Sequence, residues 1–204
     1  MNPLLLRAIL AIFTFKKEFR IVLWTFIVVL SLPIIAVFVL TNAGLPAVSN
    51  RLASISLQGH TIEIHDPTGK VIAHIQGVTV WPVHGIVTLE FGESDLPYQP
   101  LHTGIDIADK IGDPVTPFMK GKVINTDNLS WGYGNYVVVD NGNNVTSLYA
   151  HLSKIEVTKG QEVQPGDVIG LEGQTGWATG PHVHFETRVF GIPVNPRIFV
   201  SGNP

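Results

Sequence analysis

The sequence predicts a mainly β protein: one compact antiparallel β domain preceded by a single N-terminal transmembrane helix. Three observations carry this expectation. Residues 21–40 are an uncharged apolar run of twenty, and no stretch after residue 45 has a long helical pattern. From residue 54 onward, short segments alternate apolar and polar residues in period two, the periodicity of a half-buried strand. The 20 glycines and 14 prolines punctuate these segments, which suits many tight turns more than disorder.

At about 1.5 Å per residue, the run from Ile21 to Leu40 reaches roughly 30 Å, the thickness of a bilayer core. Pro33 removes one backbone donor, which membrane helices tolerate. Arg7, Lys16, Lys17 and Arg20 precede the run against the single acid Glu18, and no charge follows until Arg51. The positive-inside rule then keeps residues 1–20 in the cytoplasm and exports everything after residue 41. The expectation is a single-pass protein of the cell membrane with an extracytoplasmic domain. The anchor is read as uncleaved, with Ala43 and Ala47 as the positions where a signal peptidase would cut. Residues 4–15 are apolar but broken by Arg7, too short to span; they lie along the inner interface or extend the anchor helix. The absence of cysteine excludes disulfides and a thiol nucleophile, and nothing in that conflicts with export.

Residues 41–53 read as a short tether, 54–80 as a small β extension and 81–200 as the main domain. From residue 51 there are nine basic and fifteen acidic side chains, a net charge of −6. Without a basic stripe to neutralise phosphates, a nucleic-acid partner is excluded. In the extension, Ser54–Gln58, Thr61–His65 and Lys70–Ile75 alternate around an Asp66-Pro67-Thr68-Gly69 turn; His60, His65 and His74 read as surface histidines. Trp81-Pro82-Val83-His84-Gly85 opens the main domain, followed by the strand candidate Ile86–Phe91 and a short acidic loop over 92–100. Further strand candidates are Gly121–Thr126, Tyr136–Asp140 and Val145–Ala150. The last two flank Asn141-Gly142-Asn143-Asn144, a hairpin-turn composition. A glycine-rich segment over 173–180 leads into the strand carrying His182-Val183-His184-Phe185-Glu186.

In that last strand a period of two turns both imidazoles to one face, while Val183 and Phe185 point to the other and enter a core. Earlier in the chain stand His102-Thr103-Gly104-Ile105-Asp106 and Tyr149-Ala150-His151-Leu152. His102, Asp106, His151, His182 and His184 are the residue types and number required by one catalytic zinc centre with its proton-transfer groups. Three ligands leave an open position for water and two histidines to handle protons. Spacing alone does not say which three bind. The side chains of His182 and His184 start about 6.6 Å apart, so one ligates while the other reaches water or substrate. Four histidines around a structural metal would leave Asp106 idle and no open position.

On His102-Thr-Gly-Ile-Asp106, Tyr149-Ala-His151-Leu-Ser153 and Thr179-Gly-Pro-His182-Val-His184-Phe-Glu186, in this order, the chain resembles the lysostaphin-type (LytM-like) zinc metallopeptidases, which cut peptide cross-links in bacterial peptidoglycan. The resemblance runs from about Trp81 to Pro196. It implies a duplicated-hybrid-motif-like β domain with a narrow groove walled by loops. It also implies His102, Asp106 and His184 as Zn2+ ligands, and His151 and His182 as the catalytic histidines. The sequence departs from the family pattern at Asp140, where many members have a histidine, and at Phe118-Met119-Lys120, bulkier than the small residues often seen there. All five site residues are present, which points to a zinc endopeptidase acting on peptidoglycan peptides. The competing reading is a membrane-anchored wall-binding module that recruits or activates another hydrolase. Trp131 and Tyr133, beside glycines, line the groove or pack as an aromatic turn. Asn135 orients a backbone or a substrate carbonyl. Glu186 accepts from a ligand imidazole, or it faces solvent or forms a salt bridge.

Overall fold

The computed structural model describes residues 17–39, 44–56, 61–76, 79–93 and 101–204. The chain divides into two compact units, Met1–Thr41 and Asn42–Pro204. In the first unit, Lys17–Val39 form one helix, α1. The hydroxyls of Thr25 and Ser31 donate to the carbonyls of Ile21 (2.8 Å) and Val28 (3.0 Å), so these two hydroxyls are satisfied on the helix itself. Ile21, Val22, Trp24, Phe26, Val29 and Leu30 are more than half exposed. Among the residues described in full, no helix is long and apolar enough to cross a membrane. Residues 1–16 and 40, which the sequence reading includes in its cytoplasmic segment and span, lie outside the described residues, as does His60.

The second unit begins with a helix within the stretch expected as a tether: α2, Leu45–Leu52. Its Ser49 hydroxyl accepts from the backbone N–H of Asn195 (3.1 Å), and Leu52 is buried in the core, so this segment is part of the fold. The strands β1 (Ala53–Ile55), β2 (Ile62–His65) and β3 (Val71–Ile75) form a three-stranded antiparallel sheet. The sheet covers much of the stretch read as a β extension, and Asp66 caps the β2–β3 turn by accepting from the N–H groups of Thr68 and Lys70.

The main domain contains β4 (Ile86–Leu89), β5 (Ile105–Ala108), β6 (Pro114–Val115), β7 (Gly121–Asn128), β8 (Asn135–Gly142) and β9 (Val145–Leu152). After them come β10 (Lys154–Ile155), β11 (Glu162–Val163), β12 (Gly170–Leu171), β13 (Val183–Val189) and β14 (Ile192–Val194). A large antiparallel sheet runs in the order β11-β7-β8-β9-β13-β5-β4, with β14 also paired to β13; β10-β12-β6 form a small second sheet. The β8–β9 hairpin turns at Asn143 and Asn144, both with positive φ (52° and 61°), the backbone that favours Asn in a two-residue hairpin loop.

Strands β9 and β13 are buried along most of their length, as central strands covered on both faces should be. Val183 and Phe185, expected on the core side of β13, are fully buried. The Phe185 ring stacks on Tyr149 (5.5 Å between centroids) and lies beside Phe118 (5.5 Å). Each such aromatic contributes about 1.5–3 kcal/mol by burial. Phe118, noted in the sequence for its bulk, is thus a core residue that helps fix the strand carrying His184.

Candidate active site

Three neighbouring strands bring the site together. The β13–β5 register places His184 directly opposite Asp106, and the β13–β9 register places it opposite Ala150, one residue before His151. His102 lies just ahead of β5, and His182 just ahead of β13, held by a bridge to Gly173. The five residues singled out in the sequence are therefore neighbours for a topological reason.

His102 Nε2 lies 3.0 Å from Asp106 Oδ1 and 3.0 Å from His184 Nδ1, and His184 Nδ1 lies 2.8 Å from Asp106 Oδ1. These three atoms converge on one point, and both imidazoles are buried. His102 Nδ1 donates to the carbonyl of Glu90 (3.0 Å), which fixes the tautomer with the Nε2 lone pair facing the site. Burial by itself raises the pKa of Asp106, but the close approach of the His102 and His184 imidazoles outweighs it and holds the carboxyl well below its ordinary range. Two imidazoles and an ionised carboxylate at this spacing, with one side open, are the donor set of a catalytic zinc site. Gly104 makes room for it: a Cβ there would meet His184 Cε1 at 2.8 Å and Nε2 at 2.9 Å.

His151 and His182 stand beside this triad with their rings 4.7 Å apart. His151 Nδ1 donates to the Thr175 carbonyl (2.8 Å) and His182 Nδ1 to the Gly180 carbonyl (2.9 Å), so the Nε2 of each keeps a lone pair. His182 Nε2 is 3.6 Å from Asp106 Oδ2. Burial, and next the neighbouring His182, push the pKa of His151 down to about 4. A neutral imidazole with a free Nε2 is a proton acceptor at neutral pH.

Beside the triad is a cleft of about 380 Å³ whose lining includes Leu129, Trp131, Tyr133 and Trp177 together with His151 and His184. Trp131 therefore lines the groove, and so does Tyr133. Tyr133 also packs inward: its hydroxyl donates to Glu186 Oε2 (3.2 Å), and its ring lies 5.8 Å from that of His184. Glu186 is fully buried and pairs with Arg188 (2.7 Å), so its partner is a guanidinium and not a ligand imidazole. Asn135 orients backbone, donating from Nδ2 to the Leu152 carbonyl (2.9 Å). Its own N–H donates to Thr175 Oγ1 (2.9 Å), and that hydroxyl donates to the same Leu152 carbonyl.

Thr175 and Trp177 went unremarked in the sequence. A tryptophan between glycines, the punctuation that drew attention to Trp131, was the available signal for Trp177; nothing local marks a carbonyl such as that of Thr175 as the partner of His151.

Residues 100–196 match the family model described as Peptidase family M23. The catalytic domain of the antimicrobial peptidase lysostaphin from Staphylococcus simulans superposes with a TM-score of 0.53 at 30% identity, over 56% of this chain and 91% of that one. The chain belongs to the lysostaphin-type M23 peptidases. A second likeness is to a zinc containing peptidase from Vibrio cholerae, with a TM-score of 0.56 and 33% identity over 74% of this chain and 47% of that one. Among curated proteins, the peptidoglycan DD-endopeptidase ShyA of Vibrio cholerae is 51% identical over 94 residues, 46% of this chain and 22% of ShyA. The chain spans about a third or less of the length of the first curated relatives it matches. Zinc is the cofactor that both the M23 family and the His102–Asp106–His184 donor set fit.

Proposed function

We propose that this M23 domain is a zinc-dependent endopeptidase that hydrolyses peptide cross-links or bridges of peptidoglycan, held at the cell membrane by residues 21–40. The observation that carries the reading is the convergence of His102, Asp106 and His184 on one point with two further imidazoles alongside. A binding module has no use for His151 and His182 with their tautomers fixed and their Nε2 atoms free. The substrate class follows from the relatives, ShyA being named a peptidoglycan DD-endopeptidase.

The roles follow from the hydrogen bonds. Zinc held by His102, Asp106 and His184 would supply Lewis acidity, acidifying water and polarising the scissile carbonyl. His151, neutral and oriented by Thr175, accepts a proton at Nε2. His182, oriented by Gly180, is the second imidazole: protonated at Nε2, it would hydrogen-bond the developing oxyanion, and the proton taken up by His151 would go to the departing amine. Glu90 keeps His102 aimed at the metal through its carbonyl.

The membrane reading rests on the apolar run of 21–40, the basic residues before it and the exposed apolar side chains of α1. It places the N-terminus in the cytoplasm and the M23 domain outside.

The test uses the full chain and its His182→Ala variant, measuring zinc content together with new amino groups released from purified peptidoglycan. The expected result is about one zinc per chain in both, with amine release from the unmodified chain alone. Zinc in both with no release from several wall types would overturn the hydrolase reading in favour of the wall-binding one. Fractionation of cells with protease added from outside checks the anchor: digestion of the M23 domain in intact cytoplasm-sealed cells supports it, and protection overturns it.

A further inference from the structure

Away from the zinc donors, one fully buried carboxylate has no cation beside it. Glu172 directly follows β12. Its Oε1 accepts from the backbone N–H of Asp109 (2.9 Å), whereas its Oε2 is buried with no hydrogen-bond partner. Burying a carboxylate oxygen without a partner is costly, so this one calls for an explanation.

The loop over residues 109–113 is folded around Glu172. The Gly112 N–H donates to the Glu172 carbonyl (2.9 Å), the Glu172 N–H to the Asp113 carbonyl (2.8 Å), and the Asp113 N–H to the Lys110 carbonyl (3.1 Å). Two more carboxylates, those of Asp109 and Asp113, come with the loop. Burial pushes the Glu172 carboxyl above its usual range, and Asp109 and Asp113 push it the same way, against the Asp109 N–H. Among the described residues, no lysine, arginine or histidine forms an ion pair with any of the three.

Three like charges around one buried oxygen attract a cation, and a donor set made only of oxygens selects a hard one. Among the described residues, only His102, Asp106 and His184 bring three donor atoms to one point. Calcium does not require that, since it takes six to eight oxygens in loose geometry, carbonyls and waters included. Magnesium, which demands a near-ideal octahedron, suits the loop less.

We propose that Glu172, Asp109 and Asp113 form a calcium site, with Glu172 Oε2 as its buried anchor and the aspartates bound directly or through water. The site is separate from the zinc centre but adjoins its framework. Asp109 directly follows β5, which carries Asp106, and Glu172 precedes Gly173, whose carbonyl accepts from the His182 N–H (3.1 Å). A bound ion thus fastens together two segments that present site residues.

The test uses the zinc-loaded full chain in calcium-depleted buffer and reads no hydrolysis, so it stands or falls apart from the peptidase reading. Calorimetric titration with calcium chloride should show about one calcium per chain, with a Kd on the order of 10⁻⁴–10⁻³ M. The midpoint of thermal unfolding should rise by about 3–6 °C at a calcium concentration about tenfold above that Kd. Glu172→Gln keeps the shape and removes the charge, and it should abolish both effects while retaining zinc. Asp113→Asn should weaken calcium binding by at least about tenfold. No calcium binding by the unmodified chain, binding left intact in Glu172→Gln, or tighter binding of magnesium than of calcium would overturn the proposal. So would stabilisation by protons alone, seen as a midpoint that rises on acidification and ignores calcium.

Discussion

His151 combines two properties that pull on one residue. Its backbone lies in the left-handed region at φ +62°, uncommon for a residue that is neither glycine nor asparagine, and its ring is buried. The turn of the backbone ends the regular course of β9 and delivers the ring to the cleft, where Thr175 fixes it. Asparagine tolerates this backbone, so His151→Asn isolates the loss of the imidazole. We expect unchanged zinc content and a hydrolysis rate lower by about 10²–10⁴-fold, read from amine release and metal analysis on the same sample. Burial also makes His151 a pH-sensitive contributor to stability. Its ordinary value of 6.5 falls to about 4 in the folded chain, so the unfolded chain binds the proton more readily. The contribution of His151 to the stability of the metal-free chain should therefore decline as pH falls from about 6.5 to about 4 and level off below. Urea unfolding at a series of pH values should show a shallower decline in His151→Asn; identical profiles would refute the assignment.

Elements far apart in sequence share responsibility for the metal ligands. Glu90, following β4, offers its carbonyl to His102 and its carboxylate to Arg197, whose Nη2 donates at 2.6 Å. Arg197 follows Asn195, which caps the short 3-10 helix Pro196–Ile198 near the C-terminus. Its guanidinium lies 4.9 Å over the ring of Trp81 and donates to the Gly202 carbonyl (2.7 Å). The Arg197 and Glu90 side chains are about a third exposed, so the ion pair itself is worth about 0.5–1 kcal/mol. Arg197→Ala should cost about that in stability and weaken zinc binding by less than about tenfold, because it acts through a carbonyl and not on a ligand. Chelator competition measures the second effect; an unchanged affinity would mean that the strand alone holds Glu90.

Such links explain what the sequence showed and what it hid. The histidine pair of β13, the Asn143-Asn144 turn and the five site residues are local patterns, legible from period, turn chemistry and donor type. The helix α2 was hidden in a stretch read as a tether, because its eight residues gain their place from Asn195 and the core rather than from a long apolar period. The Tyr133 contact of Glu186, the Leu152 and Thr175 contacts of Asn135 and the Thr175 contact of His151 were hidden for a related reason. Glu186 pairs partly with Tyr133, 53 positions away, and no local pattern announces a contact of that range.

Across the whole M23 domain, one buried hydroxyl ties the core to the site. Tyr149 is fully buried on β9; its oxygen accepts from the Phe118 N–H (2.9 Å) and donates to Ser147 (3.0 Å), while its ring stacks on Phe185. Tyr149→Phe would leave the Phe118 N–H without a partner in a dry core. We expect a loss of about 1–3 kcal/mol in denaturant unfolding, with zinc content retained. A loss below about 0.5 kcal/mol would show that the core rearranges to satisfy that donor. The described core residues all lie after residue 51, so the domain owes its packing to its own unit.

The loop that carries Trp177 also carries the carbonyl that holds His151, two residues earlier. Cleft lining and the support of His151 are therefore mechanically one part. Transplanting this loop from a relative to change what is cut would shift the proton acceptor at the same time, so altered preference would come with altered rate. Directed evolution toward a new cleavage preference should accordingly succeed sooner from substitutions at Leu129 or Trp131, outside that loop, than from exchange of residues 174–178.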